Sequence, residues 1–195
     1  MRLSKLYPVV LVVALIAAAA LVVVLARQQQ ALVDRVESLT TRVRDPYPGF
    51  YVPAVTLRSV SGDSVRLGEA TPGNVQLFFV FSTTCDHCRA SLQAWNRVAS
   101  EFAQDPHVEV YGISIDSAEV TRTYVAEHHL QFPVVSFADR KLQALYRSNV
   151  FPQTLVIDAE GRVRYARLGA LTGDSATDSI VQLSRSIGPS AEPAR

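Results

Sequence analysis

Residues 8–26 read PVVLVVALIAAAALVVVLA, nineteen positions with no charge and no side-chain hydrogen-bonding group. At about 1.5 Å per residue, a helix of this length spans roughly 28 Å, close to a bilayer's hydrocarbon core. Arg2 and Lys5 would also suit the basic start of a cleaved signal peptide, with Val24-Leu25-Ala26 as its cleavage site. Signal peptides carry an apolar run of about 7–15 residues, and this one is longer. The segment is therefore expected to be an uncleaved transmembrane anchor behind a short start at 1–7. Its flanks set no orientation, because Arg2 and Lys5 stand on one side and Arg27, Arg35, Arg42 and Arg44 on the other. A long domain translocates largely regardless of such counts, so an exported carboxyl-terminal domain is compatible with the pattern.

Beyond the run, Leu32, Val36, Leu39 and Val43 recur at intervals of four, three and four, predicting an amphipathic helical stalk over 27–45. Two heptads are too few for a coiled-coil assignment. Asp45-Pro46-Tyr47-Pro48-Gly49 closes it with three breakers in five residues. VPAVTLRSV and SVRLGEA then alternate apolar and polar positions around Ser61-Gly62-Asp63, predicting a β-hairpin. VQLFFVF at 75–81 is apolar throughout, as in a strand buried on both faces. From Cys88 onward, Leu92, Trp95, Val98 and Phe102 fall at helical spacing until Asp105-Pro106.

Strand and helix patterns then alternate: VEVYGISI, AEVTRTYVAEHHL, FPVVSF, RKLQALYR, TLVID, a turn at Glu160-Gly161, RVRYARL and SATDSIVQLSRSI. That alternation predicts one α/β domain over 46–188, with a mostly parallel central sheet and TLVID–RVRYARL as an antiparallel edge. The tail 189–195 is expected to be disordered. From 46 to 195 there are 13 Lys/Arg and 15 Asp/Glu, a formal charge of −2, with no basic stripe. Nucleic acid is not an expected partner. Two cysteines in 195 residues exclude a disulfide scaffold and a four-thiolate zinc site.

Both cysteines lie in FSTTCDHCRASLQAW, as Cys85 and Cys88. As a structural disulfide the pair would close so short a loop that little unfolded-state entropy is removed. Cys85, Cys88 and His87 are too close together to form a metal cage alone, and further ligands would have to come from His107, His128 or His129. Redox chemistry has the stronger physical case. The pair follows a buried strand and opens a helix, so Cys85 falls near free N–H groups and the positive end of the helix dipole. A thiolate stabilised there is both nucleophile and leaving group. Cys88, one turn further in, is placed to resolve the mixed disulfide.

These residues resemble the thioredoxin superfamily, and within it the membrane-anchored TlpA/ResA-like thiol-disulfide oxidoreductases of bacteria. The resemblance runs from about 52 to 170, through VPAVTLRSVSGDSVRL, CDHCR, VEVYGISID, LQFPV and VFPQTLVIDAEGRV. It implies a thioredoxin-like fold, a central mixed sheet flanked by helices. It also implies that Pro152 forms a cis bond and packs against the active cysteines, while Phe151 offers its backbone to a substrate chain as an added strand. Relatives often carry a buried acid in the strand or three residues after the motif. Those positions are Phe79 and Ser91 here, and FSTTC replaces a tryptophan-rich lead-in.

The expected activity is thiol-disulfide exchange with disulfide- or dithiol-bearing proteins on the extracytoplasmic side, with Cys85 attacking and Cys88 resolving. It requires no cofactor or metal, and a membrane thiol protein would suit as electron donor. His87, between the cysteines, is expected to favour the Cys85 thiolate. His128 and His129 read as a helix end, Trp95 as core and Asp139-Arg140 as a helix start. Two rival readings rest on the same residues. One is a peroxiredoxin-like thiol peroxidase, although the threonine such enzymes place three residues before the attacking cysteine is Ser82 here. The other is a non-enzymatic metal-delivery protein.

Overall fold

A computed structural model describes residues 15–33 and 44–187. The chain divides into two units, 1–43 and 44–195. In the first, helix α1 (Leu15–Val33) has 19 residues, is exposed throughout with a mean hydropathy of 1.6, and is long and apolar enough to cross a membrane. One helix thus runs through the junction at 26/27 where anchor and stalk were expected to meet. Residues 8–14 of the expected anchor, the seam positions Val36, Leu39 and Val43, and the tail 189–195 lie outside the described residues.

The second unit is built on β3 (Val75–Phe81), every residue of which is buried. Side chains alternate faces along a strand, so an all-apolar strand needs a core on each side. Val75, Leu77, Phe79 and Phe81 enter one cluster, with Trp95, Val98 and Phe102 of α3 (Leu92–Phe102) and Ile180 and Val181 of α6 (Asp174–Ile187). Phe78 and Val80 enter the opposite cluster, with Val65 and Leu67 of the hairpin and the buried Tyr146. At roughly 1.5–3 kcal/mol per fully buried large apolar side chain, a one-residue slip of β3 would exchange the occupants of both cores.

Beside β3 lie β4 (Val108–Ser114), parallel to it, and β6 (Gln153–Ile157), antiparallel. With β5 (Val134–Ser136) and β7 (Val163–Leu168) the sheet order is β5-β4-β3-β6-β7. Two of the four pairings are antiparallel, so the sheet is mixed rather than mostly parallel. TLVID is not edge material either. All five residues of β6 are buried, and it lies between β3 and β7; of these two predicted edge strands β7 alone is at an edge, β5 forming the other edge of the sheet.

The predicted hairpin is present as β1 (Val55–Arg58) and β2 (Ser64–Leu67), a separate antiparallel pair. Gln76, the one polar residue of β3, ties it to the sheet. Its amide accepts from Gly68 N at 2.8 Å and donates to Arg66 O at 2.8 Å and to Glu109 Oε2 at 2.8 Å. The β6–β7 turn needs glycine: Gly161 has φ +82°, and a Cβ there would meet Gly68 O at 2.5 Å and Val52 O at 2.6 Å.

Helix α4 (Ala118–Glu127) stops short of the predicted 118–130, because His128 is its C-cap and His129 turns to φ 51°. Asp139 caps α5 (Arg140–Leu145), accepting from Lys141 N at 2.8 Å. The helix after the cysteines comes in two pieces, α2 (Asp86–Arg89) and α3, broken at Ala90-Ser91.

Candidate functional site

β3 and β4 run parallel, so their carboxyl ends bring Ser82–Cys85 and Ile115–Ser117 together. Cys85 is the N-cap of α2, in extended conformation at φ −88°, ψ 115°. Its Sγ accepts from Cys88 N at 3.2 Å, and its carbonyl accepts from Cys88 N at 3.1 Å and Arg89 N at 3.1 Å. A thiolate at this atom therefore receives a backbone N–H directly. Both cysteines are free thiols; Cys85 is half-buried and Cys88 is 0% exposed. Burial pushes the Cys88 thiol well above its ordinary pKa. The Cys85 hydrogen bond and the charges of Cys85 and Asp116 add to that, against a backbone hydrogen bond from Ser82.

Asp116 was not singled out from the sequence. Its Oδ2 accepts from Thr83 N at 2.6 Å and from Ser82 Oγ at 3.2 Å. Ser82 Oγ in turn lies 3.1 Å from Thr84 Oγ1. The carboxylate thus holds the whole approach to Cys85. One available signal was its place directly after the apolar strand VEVYGISI. Carboxyl ends of neighbouring parallel strands are where α/β proteins collect their chemistry. The two positions where the resemblance located an acid lack one. Phe79 is buried against Trp95, with ring centroids 5.2 Å apart. Ser91, also buried, donates to His87 O at 3.1 Å and accepts from Leu171 N at 3.0 Å, pinning the α2–α3 break to the segment before α6.

His87 is exposed on α2, and among the described residues its ring has no hydrogen-bond partner. The Phe151–Pro152 bond is cis, the isomer that the resemblance implied. Phe151 is half-buried and packs on the same core cluster as Cys85 and Cys88, and Pro152 O accepts from Gly169 N at 2.8 Å. Among the described residues, the Phe151 backbone N–H and C=O have no hydrogen-bond partner.

Of the histidines considered as ligands, His107 lies at the far end of β3, where its carbonyl accepts from Val75 N. The His128 ring packs on Tyr124 at 4.3 Å, and the His129 carbonyl accepts from Asn96 at 3.2 Å. Among the described residues, no group of three or more His, Cys, Asp or Glu is placed to hold a metal.

This arrangement, a mixed sheet with the cysteine pair at a strand–helix junction and a cis-proline at the head of β6, the antiparallel neighbour of β3, is the thioredoxin-like fold. The chain is 23% identical to the thiol-disulfide oxidoreductase ResA of Bacillus cereus over 125 residues, 64% of this chain and 71% of that protein. A secreted disulfide oxidoreductase of Mycobacterium tuberculosis, homologous to DsbE of E. coli, superimposes with a TM-score of 0.55 at 19% identity. It covers 68% of this chain and 95% of its own. A peroxiredoxin-like protein from Aquifex aeolicus does so with a TM-score of 0.56 at 16% identity, covering 73% and 88%. Residues 44–166, the greater part of the chain, match the AhpC/TSA family, and the protein belongs to that family.

Proposed function

We propose that the protein is a membrane-tethered thiol-disulfide oxidoreductase acting on protein substrates outside the cytoplasm. The observation that carries the reading is the asymmetry of the pair. One sulfur is reachable and receives a backbone N–H, while its partner is buried one turn deeper. The Cys85 thiolate attacks a substrate disulfide; that S–S bond breaks, and the leaving sulfur takes up a proton. Cys88 then loses its proton and attacks Cys85 Sγ. This releases the second substrate thiol and closes the Cys85–Cys88 disulfide. Two electrons pass to the substrate, and a second dithiol protein returns them to the pair. Phe151 and Pro152 supply the docking edge, where a substrate backbone can pair with the unclaimed groups of Phe151. His87, when protonated, favours the thiolate form from its exposed place between the cysteines.

A thiol peroxidase is the rival to test directly, because the A. aeolicus neighbour is peroxiredoxin-like. Reduced protein should consume a protein disulfide at least tenfold faster than hydrogen peroxide at equal concentration. The opposite ranking would make it a thiol peroxidase. The tether rests on α1. Full-length protein should stay with membranes after carbonate washing, and protease should reach residues 44–195 only from the outer side. A soluble product starting near Arg27 would show a cleaved signal peptide instead.

A further inference from the structure

A groove of about 350 Å³ runs beside the cysteine loop, lined by Thr83, Glu119, Val120, Thr123, Tyr124 and Glu127. Thr83 stands two residues before Cys85, so one wall belongs to the loop that carries the reachable sulfur. The opposite wall is α4, on which Glu119, Thr123 and Glu127 are spaced four apart and share one ridge. Glu119 sits in the first turn, where the helix dipole favours a carboxylate. Glu127 ends the helix, where the dipole opposes one. Neither carboxylate has a cationic partner among the described residues. Nearby cations are engaged elsewhere: Arg89 pairs with Asp86 at 3.5 Å, and Arg122 donates to Val60 O at 3.0 Å. Val120 adds an apolar surface, 49% exposed.

Tyr124 supplies an independent sign of an occupant. It is only 6% exposed, and its hydroxyl is buried without a hydrogen-bond partner. A buried hydroxyl without a partner is costly, so its persistence beside an open groove needs a reason. The ring also lies close enough to the dithiol that negative charge on Cys88 or Cys85 pushes the Tyr124 pKa up, behind burial as the main cause.

Resting on the exchange reading above, we propose that this groove is a specificity subsite for a lysine or arginine side chain beside the reacting cysteine of the substrate polypeptide. The aliphatic stem of such a side chain covers Val120 while its charged head reaches Glu119 or Glu127. A donor on the head, once the groove wall yields to admit it, gives the buried Tyr124 oxygen the partner it lacks. Placing that charge next to the sulfur would let the protein choose among disulfides by their neighbours rather than by the sulfurs themselves.

The test uses full-length protein in non-ionic detergent and three disulfide-linked peptides that differ only beside the target cysteine, as lysine, norleucine or glutamate. Each rate is divided by the same sample's rate with hydroxyethyl disulfide. The lysine peptide should react about tenfold faster than the glutamate peptide at low ionic strength, with norleucine between them and the gap closing at high salt. In the Glu119→Gln/Glu127→Gln double variant the normalised gap should collapse to within about twofold. Equal rates for all three peptides, norleucine matching lysine, or a gap that survives the double variant would each overturn the subsite while exchange stands. No reaction with hydroxyethyl disulfide would instead overturn the exchange reading, and the subsite with it.

Discussion

A Cys85→Ser chain should show no disulfide exchange above the uncatalysed rate, whereas a Cys88→Ser chain should complete one half-reaction and stop with substrate covalently bound. Only Cys85 is open to an incoming disulfide, and Cys88 at 0% exposure cannot stand in for it. The serine hydroxyl does not ionise near neutral pH and so supplies no nucleophile. In Cys88→Ser the first attack proceeds, but no second sulfur is available to break the Cys85–substrate bond, and mixed disulfides accumulate one per chain. Non-reducing electrophoresis separates the two outcomes, because the trapped species is heavier and collapses on adding dithiothreitol. A rapid alkylation test on the reduced wild type bears on the same assignment. Iodoacetamide should label Cys85 well before Cys88 at neutral pH. Faster labelling of Cys88 would reverse the roles.

Much of this site was legible in the sequence. The all-apolar run 75–81 required two cores, and the cysteines directly after it required a strand–helix junction. Both inferences depend only on local periodicity and on the chemistry of adjacent residues. Strand order was less accessible. TLVID and RVRYARL were correctly paired through their tight turn, yet β6 lies inside the sheet against β3. That choice is set by what flanks a strand in space, which local pattern does not carry. Asp116 was passed over for the same reason. It sits 31 residues from Cys85 in sequence, and only the parallel alignment of β3 with β4 brings its carboxylate to Thr83 N. The Ser91–Leu171 bond spans 80 residues and leaves no local trace. Tyr124, not singled out from the sequence, is a helix-face aromatic packed on Phe81 with centroids 5.6 Å apart. Its unpaired hydroxyl is a property of the assembled core rather than of the helix.

Collapse of the mixed disulfide should accelerate about tenfold for each pH unit from pH 6 upward, a dependence large enough to dominate turnover at low pH. The attacking species is the Cys88 thiolate, and burial is the largest of the causes that hold the thiol protonated. The hydrogen bond and charge from Cys85 vanish once that sulfur is tied up with substrate, but burial and the Asp116 charge remain. Cys88 therefore stays mostly neutral through the physiological range, and its thiolate fraction rises tenfold per unit below its pKa. Loading Cys85 with a chromophoric leaving group and following its release in stopped flow isolates this step. A flat profile between pH 6 and 9 would show that Cys88 is already ionised when it attacks. Asp116→Asn then tests the electrostatic part on its own. The amide oxygen can still accept from Thr83 N, so the loop keeps its anchor while the negative charge is removed. The Cys88 pKa should fall and the profile should move to lower pH. Nucleophilicity declines with pKa at a Brønsted slope of about 0.4–0.5, so roughly half of that gain, on a logarithmic scale, should survive as faster release at a fixed pH. Slower release with an unshifted profile would mean that Asp116 acts only as a brace for the loop.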